Sequence, residues 1–217
     1  MGEKRSRRQA VIVGAAPTER LDYLQPYLTG EDFILCADGG RNTVQEWGLS
    51  PDAYVGDGDS GGSGEGLSSI LLPKEKDFTD LEAAVYRAVE LGFQRLLLCA
   101  CTGGRADHHL ANFFLLERCY ELGAQALLVD EWNEVRFVTA GAYEIPNEPR
   151  CRYLGLLPLD RTLENVSLEG VKYPVRDRTF RRTETLGVSN EILPGQTARI
   201  SIGSGRGLLI RSERLPD

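Results

Sequence analysis

The sequence predicts an α/β fold, a mostly parallel sheet flanked by helices, followed by a second, smaller all-β domain of sandwich type. Three observations carry this. Between residues 9 and 138, short apolar runs alternate with segments of helical period. Glycines close three of the helical segments, at Gly48, Gly92 and Gly123. Past Gly141 the helical period is lost, and short β-type runs stand between Pro, Gly, Asn and Asp. The domains expected are therefore 1–141 and 142–217, within what 217 residues can fold.

Taken in order, residues 10–14 form a short apolar run closed by glycine, the first strand. A helical stretch is expected over 18–28, weakened by Pro26, which removes a backbone donor. Phe33–Ala37 reads as the second strand, 41–48 as a short helix and 53–55 as the third strand. A loop rich in Gly, Ser and Asp follows over 56–69. Thr79 and Glu82 then make a capping box, with Leu81, Val85 and Ala88 at helical spacing as far as Gly92. Residues 95–101 are an apolar strand, 102–106 a loop, 107–122 a helix, and 126–129 the last strand of the alternation. In the second domain the expected strands are 153–157, 165–168, Thr197–Ile202 and 207–211. Residues 203–207 read as a hairpin turn between the last two.

Composition narrows the function. With 41% apolar and 26% charged residues the chain builds a core and is not disordered at large. A net charge of −7 argues against a nucleic-acid partner, because such proteins live on phosphate charge. The charge is concentrated: residues 51–82 hold eight acids and two lysines, close to the whole excess. The longest strongly apolar run, 96–101, is too short to cross a bilayer, so no membrane partner is expected. The basic start, MGEKRSRRQA, has no apolar core and does not read as a secretory signal. Five cysteines, at 36, 99, 101, 119 and 151, are odd in number and form no C-x-x-C pair. That pattern points to buried thiols in a reducing, cytoplasmic compartment, with neither a disulfide framework nor a zinc site.

Three segments have the composition of a reactive site. GDGDSG at 56–61 satisfies G-x-G-x-x-G, yet carboxylates stand where a dinucleotide fingerprint needs bare amides, and no helix follows at once. Beside a phosphate those carboxylates repel, at roughly 1 kcal/mol in water-like dielectric and about 4 at an effective dielectric of 20. A divalent cation reverses the sign, and Asp57 and Asp59 can converge on one hard ion that keeps positions open for phosphate oxygens. Asp77 and Asp80 open the capped helix, where acids also suit the helix dipole. Brought beside Asp57 and Asp59, they complete a magnesium site at the carboxyl ends of the strands. TGGRADHHLAN at 102–112 sets a glycine turn, Arg105, Asp107, His108 and Asn112 at a helix start, a group suited to an anion. Asp38, Gly39 and Gly40 form a further glycine turn after a strand.

In this order, these segments resemble the bacterial thiamine pyrophosphokinases. The matching stretches are ADGG at 37–40, VGDGDS at 55–60, KDFTDLEA at 76–83, residues 102–112 with their GGR-x-DH core, and GVKYP at 170–174 followed by GVSNE at 187–191. DEWN at 130–133 is similar to the family's acidic turn after the last strand of its first domain.

The resemblance implies an α/β domain that binds ATP and Mg2+ and a β domain that helps bind thiamine. It also implies a homodimer with the active site at the subunit interface. The reaction implied moves the β,γ-pyrophosphoryl group of ATP to the thiamine hydroxyl and releases AMP. By position, Asp57, Asp59 and Asp80 hold magnesium with Asp77 nearby, and these four with Arg105 form the catalytic set. Asp38, Gly39, Gly40, Lys76, Arg105, Asp107, His108 and Asn112 lie on the ATP side, and Ser189 and Asn190 face thiamine. Phe180 and Tyr173 are the aromatic candidates for stacking on it. Two other activities would use the same acidic loops. One is a pyrophosphokinase for another alcohol, such as a hydroxymethyl pterin, differing in the β domain. The other is a non-catalytic nucleotide or thiamine-diphosphate sensor, which has no need of four carboxylates beside a polyanion.

Overall fold

The computed structural model describes residues 9–18, 22–56, 68–71, 77–148 and 150–213. By its contacts the chain divides into two units, Met1–Glu131 and Trp132–Asp217. The division falls before the change of composition at Gly141, because the strand Asn133–Val138 belongs to the second unit.

The first unit contains the strands β1 (Ala10–Val13), β2 (Phe33–Ala37), β3 (Ala53–Gly56), β4 (Ser68–Leu71), β5 (Arg95–Cys99) and β6 (Gln125–Val129). Their spatial order is β6-β5-β1-β2-β3-β4, and every described pairing among them is parallel. The helices are α1 (Gly40–Glu46), α2 (Asp80–Glu90) and α3 (Ala106–Glu121). Parallel strands covered by helices must be apolar on both faces, and all four residues of β1 are buried. Val13 of β1 stands between Cys36 of β2 and Cys99 of β5, and these side chains join Val11, Tyr54, Leu97 and Val129 in one core.

Chain order then fixes where a ligand goes. From β1 the chain steps to β2, β3 and β4 on one side and returns to β1's other side with β5. The crevice between the ends of β1 and β5 is therefore the switch point at which open α/β sheets bind. Here Ala16 N donates to the Ala100 carbonyl at 2.8 Å.

Three features of this unit depart from the sequence expectation. The stretch expected as a helix over 18–28 holds a 3-10 turn, Asp22–Tyr27, with Pro26 inside it. The end of the expected loop 56–69 belongs to β4, an edge strand of only four residues that is too short for a period to show. Half of the capping box forms: Glu82 N donates to Thr79 Oγ1 at 3.2 Å, while the Glu82 carboxylate accepts from Tyr86 Oη at 2.7 Å.

The second unit holds β7 (Asn133–Val138), β8 (Gly141–Pro146), β9 (Tyr153–Pro158), β10 (Thr162–Glu169), β11 (Val175–Arg181), β12 (Asn190–Glu191), β13 (Thr197–Ile202) and β14 (Gly207–Ser212). They form the orders β12-β9-β14-β7 and β11-β10-β13-β8, and their pairings are antiparallel. "Mostly parallel" thus describes the first unit and not the chain. Leu154, Leu156 and Leu209 of the first sheet share a core with Leu163, Val166, Phe180 and Ile200 of the second, which makes a sandwich.

The hairpin expected at 203–207 is not formed, since β13 and β14 lie in different sheets and the turn passes between them. β7, β8 and β11 escaped the sequence reading because charged residues interrupt their apolar ones: Glu134 and Arg136 in β7, Glu144 in β8, and Arg176, Asp177, Arg178 and Arg181 in β11. Arg176, Arg178 and Arg181 lie in β11, which is an edge strand of its sheet. Arg211 and Glu134 face each other across β14 and β7, both buried, with Arg211 Nη1 donating to Glu134 Oε2 at 3.2 Å.

All five cysteines are buried and free. Burial pushes the thiols of Cys36 and Cys119 up to about 12. No helix among the described residues is long and apolar enough to cross a membrane.

Gly40 is where the fold tolerates no side chain. A Cβ there would overlap the Val13 carbonyl oxygen and meet Gly14 O at 2.9 Å. Backbone cannot swing aside as a flexible side chain does, so Gly40→Ala is expected to cost about 3 kcal/mol. Denaturant unfolding measures this, and a loss below about 0.5 kcal/mol would show that α1 slides away from β1 without penalty.

Candidate functional site

The carboxyl edge of the parallel sheet carries those singled-out residues of the first unit that lie among the described ones. Asp38 follows β2 directly, with φ of 47°, and its N–H donates to the Val55 carbonyl at 2.9 Å. A left-handed aspartate is tolerable, but Ala100 after β5, at φ 48°, is not a residue that chooses this conformation. Backbone in such sparsely populated regions is common at functional sites, and here it stands at strand ends beside the switch point. Gly39 and Gly40 carry the chain from Asp38 into α1.

α2 returns from the carboxyl end of β4 to the start of β5, so its first turn points to this same edge. Thr79 caps it, Asp77 is exposed and Asp80 half-buried. Asp57, Asp59 and Lys76 lie outside the described residues. Among the described residues no group of three metal-ligating side chains is assembled.

The loop after β5 is held from several sides. Thr102 Oγ1 donates to Asp130 Oδ2 at 2.9 Å. Gly103 and Gly104 take φ of 93° and 68°, and Gly103 N donates to His109 Nδ1 at 3.2 Å. Arg105 precedes α3 and grips Asp107 with both arms of its fork, Nε to Oδ1 at 3.1 Å and Nη2 to Oδ2 at 2.6 Å. Asp107 also accepts from His108 N at 3.0 Å. The bond from Arg105, then that from the His108 amide, hold the Asp107 carboxyl below the usual carboxylate range. Both side chains are exposed, the guanidinium facing solvent with its charge intact.

Two of the expected ligand-side residues differ in their surroundings. Asn112 is buried and donates Nδ2 to the Cys101 carbonyl at 2.6 Å, so it shapes the loop. His108 is exposed; the neighbouring His109, which the sequence reading did not single out, makes the loop contact and stacks edge-on against Phe113 at 4.7 Å. The pairing of both histidines in the sequence was the available signal, and helix phase decides between them. Thr18 was also missed: it reaches from the loop after β1 to Glu131 Oε1 at 3.2 Å, with no sequence signal beyond a hydroxyl near a strand end.

In the second unit, Ser189 is exposed and left-handed, at φ 59°. Asn190 is buried. Its Oδ1 accepts from Tyr173 N at 3.0 Å and from Glu191 N at 2.9 Å, and its Nδ2 donates to the Tyr173 carbonyl at 2.9 Å. Of the two aromatic candidates, Phe180 is only 1% exposed within the sandwich core and presents no face to a ligand. Tyr173 is 58% exposed.

The oxygen donors described at this edge of the first unit are carboxylates, beside the imidazoles of His108 and His109. Carboxylates come from Asp38, Asp77, Asp80 and Asp130, while the thiols of Cys99 and Cys101 are buried and pushed up by that burial, so they offer no thiolate.

Comparison with known proteins bears on both units. Residues 24–128 match the family described as thiamin pyrophosphokinase, catalytic domain, and residues 142–206 match thiamin pyrophosphokinase, vitamin B1 binding domain. The thiamine pyrophosphokinase of Bacillus subtilis is 28% identical over 208 residues, which cover 93% of this chain and 97% of that protein. A crystal structure of the Bacillus subtilis protein superposes with a TM-score of 0.87, covering 95% of this chain and 100% of that one. A thiamin pyrophosphokinase structure from Geobacillus thermodenitrificans is 30% identical with a TM-score of 0.84, covering 95% and 98%. The yeast enzyme, at 14% identity and a TM-score of 0.77, shares the fold.

Proposed function

Because the chain belongs to the thiamin pyrophosphokinase family, we infer that it is a diphosphotransferase that moves the β,γ-pyrophosphoryl group of ATP to the hydroxyl of thiamine and releases AMP. The observation that carries this is that one chain matches both the catalytic and the vitamin B1 binding domains of the family.

Magnesium is part of the proposal. Asp80, with Asp57 and Asp59 from the neighbouring acidic loop, would hold it, and Asp77 lies close to them in sequence. When bound, magnesium neutralises the triphosphate and makes the β-phosphorus accessible to an alcohol. The chain's own residues then have to position and stabilise. Arg105 turns its fork from Asp107 onto phosphate oxygens, where two parallel hydrogen bonds set direction as well as charge. Thr102 and Asn112, through Asp130 and the Cys101 carbonyl, keep the 101–105 loop fixed while Arg105 changes partners. Asp38, Gly39 and Gly40 offer backbone at the end of β2, and Lys76 or His108 adds positive charge beside the departing AMP. Asp107 anchors Arg105 between turnovers. A homodimer with the active site at the subunit interface, carried over from the family resemblance, completes the reading. A cytoplasmic location agrees with five buried free thiols.

A product assay with ATP, magnesium and thiamine tests this. AMP is expected one-for-one with thiamine diphosphate. ADP with thiamine monophosphate would overturn the pyrophosphoryl transfer. No thiamine-dependent product, with ATP still bound, would favour another alcohol or a sensor.

A further inference from the structure

We propose that His109 is a positioning residue for phosphate recognition, tethering the Gly103–Gly104 turn so that Arg105 is presented in one direction. The proposal deepens the functional reading above and rests on it, since Arg105 is there the residue that takes phosphate oxygens.

The turn does not hold itself. Gly103 and Gly104 stand in succession at φ of 93° and 68°, a backbone that glycine reaches without strain but orders only at a high cost in entropy. Thr102 Oγ1 on Asp130 and Asn112 Nδ2 on the Cys101 carbonyl fix the chain before the pair. Neither bond reaches the glycines. Among the described residues, the one hydrogen bond made by the pair runs from Gly103 N to His109 Nδ1, at 3.2 Å.

His109 also holds the far side of the turn. Its own N–H donates to the Arg105 carbonyl at 3.1 Å, so one residue of α3 ties down both Gly103 and Arg105, with Gly104 between them. Phe113, one helical turn further on, braces the ring edge-on at 4.7 Å. For Nδ1 to accept, the proton of the neutral ring sits on Nε2, so the ring meets the turn as an acceptor.

The fork of Arg105 is fixed differently. It is exposed, and its bonds go to the Asp107 carboxylate. Those bonds break when the fork takes a phosphate, and the backbone beneath it then depends on the His109 tether. Arginine is a long side chain, so a small rotation at its base carries the guanidinium out of line and forfeits two-armed bonding first.

Three substitutions at one position test the tether. His109→Phe keeps a ring against Phe113 and deletes the acceptor; kcat/KM for ATP is expected to fall about tenfold, with the KM for thiamine unchanged. His109→Asn puts Oδ1 where Nδ1 stands and should recover activity to within about threefold of the wild type. His109→Gln carries its amide one carbon further and should recover little. Should His109→Phe fail to fold, His109→Leu takes its place, since it has the outline of asparagine without the acceptor. Wild-type rates in the variant without an acceptor overturn the proposal. So does a His109→Asn variant no better than it, which would give the imidazole a role of its own toward the ligand. A parallel rise in the KM for thiamine overturns it in favour of a general loss of structure.

The second arm couples His109 to Arg105. Acting through Arg105, His109→Phe should cost less than about twofold in the Arg105→Ala background, because residues that work through one another are not additive. A larger loss there overturns the proposal. A wild type that makes no thiamine diphosphate overturns the functional reading itself. A wild type that makes it while the two losses multiply overturns only the tether.

Discussion

Asp80→Asn is expected to slow thiamine-dependent AMP release by at least about a hundredfold at magnesium and ATP concentrations that saturate the wild type, the usual loss when a fixed charge is removed from a transition state. The substitution keeps the shape of the side chain and deletes its charge at the first residue of α2, the helix whose start points to the carboxyl edge of the sheet. The competing explanation is that Asp80 is there for the helix dipole, worth about 0.3–1 kcal/mol of stability. Thr79→Ala separates the two. It removes the oxygen that accepts from Glu82 N, which should cost about 1 kcal/mol and a few degrees in melting temperature while leaving turnover within about twofold. The pair should therefore cross: Asp80→Asn near-native in stability and inactive, Thr79→Ala less stable and active. Wild-type turnover in Asp80→Asn would make it a first-turn acid and move the metal site elsewhere.

Residues such as Thr79 show what a sequence yields. A cap, an apolar stripe and a closing glycine are local, so α2 could be read from a dozen letters, and the buried strands of the parallel sheet declared themselves as unbroken apolar runs. Strands that bury one face did not. In β11, Val175 and Phe180 face inward among arginines, and nothing local separates such a strand from a charged loop. The candidate site divides in the same way. Residue types and their order pointed to a hard cation and an anion, because carboxylates, glycines and arginine carry that chemistry wherever they sit.

Side-chain direction was not legible. Asn112 and Asn190 stand inside the motifs, yet both turn their amides onto backbone. An amide meets a carbonyl as readily as it meets a ligand, and only the fold decides which is in reach. Ala100 is the extreme case: its backbone is left-handed and its carbonyl accepts from Ala16 N, and alanine announces neither.

Arg105→Ala is expected to lower kcat about a hundredfold, with Arg105→Lys recovering only part of the loss. Lysine restores the charge but not the fork, so if direction matters as much as charge the two variants differ measurably. The described geometry supports this, since both arms of Arg105 engage one carboxylate in parallel, at 3.1 and 2.6 Å, the pattern a phosphate would take over. Stability should hardly change, because the pair is exposed to solvent and such pairs contribute little to folding. Asp107→Ala supplies the second half of the argument. Its carboxyl is held below the ordinary carboxylate range by Arg105. Sign follows from that: the pair is complete above the ordinary carboxylate range and persists as pH falls through it, breaking only at more acidic pH. An acid limb of the activity profile near the ordinary carboxylate range thus belongs to another group, and Asp107→Ala should leave that limb in place. If Asp107 only anchors the fork, its removal lowers kcat much less than loss of Arg105 does. Equal losses from the two would make Asp107 a ligand-side residue in its own right, and wild-type rates in Arg105→Ala would place phosphate recognition elsewhere on this edge.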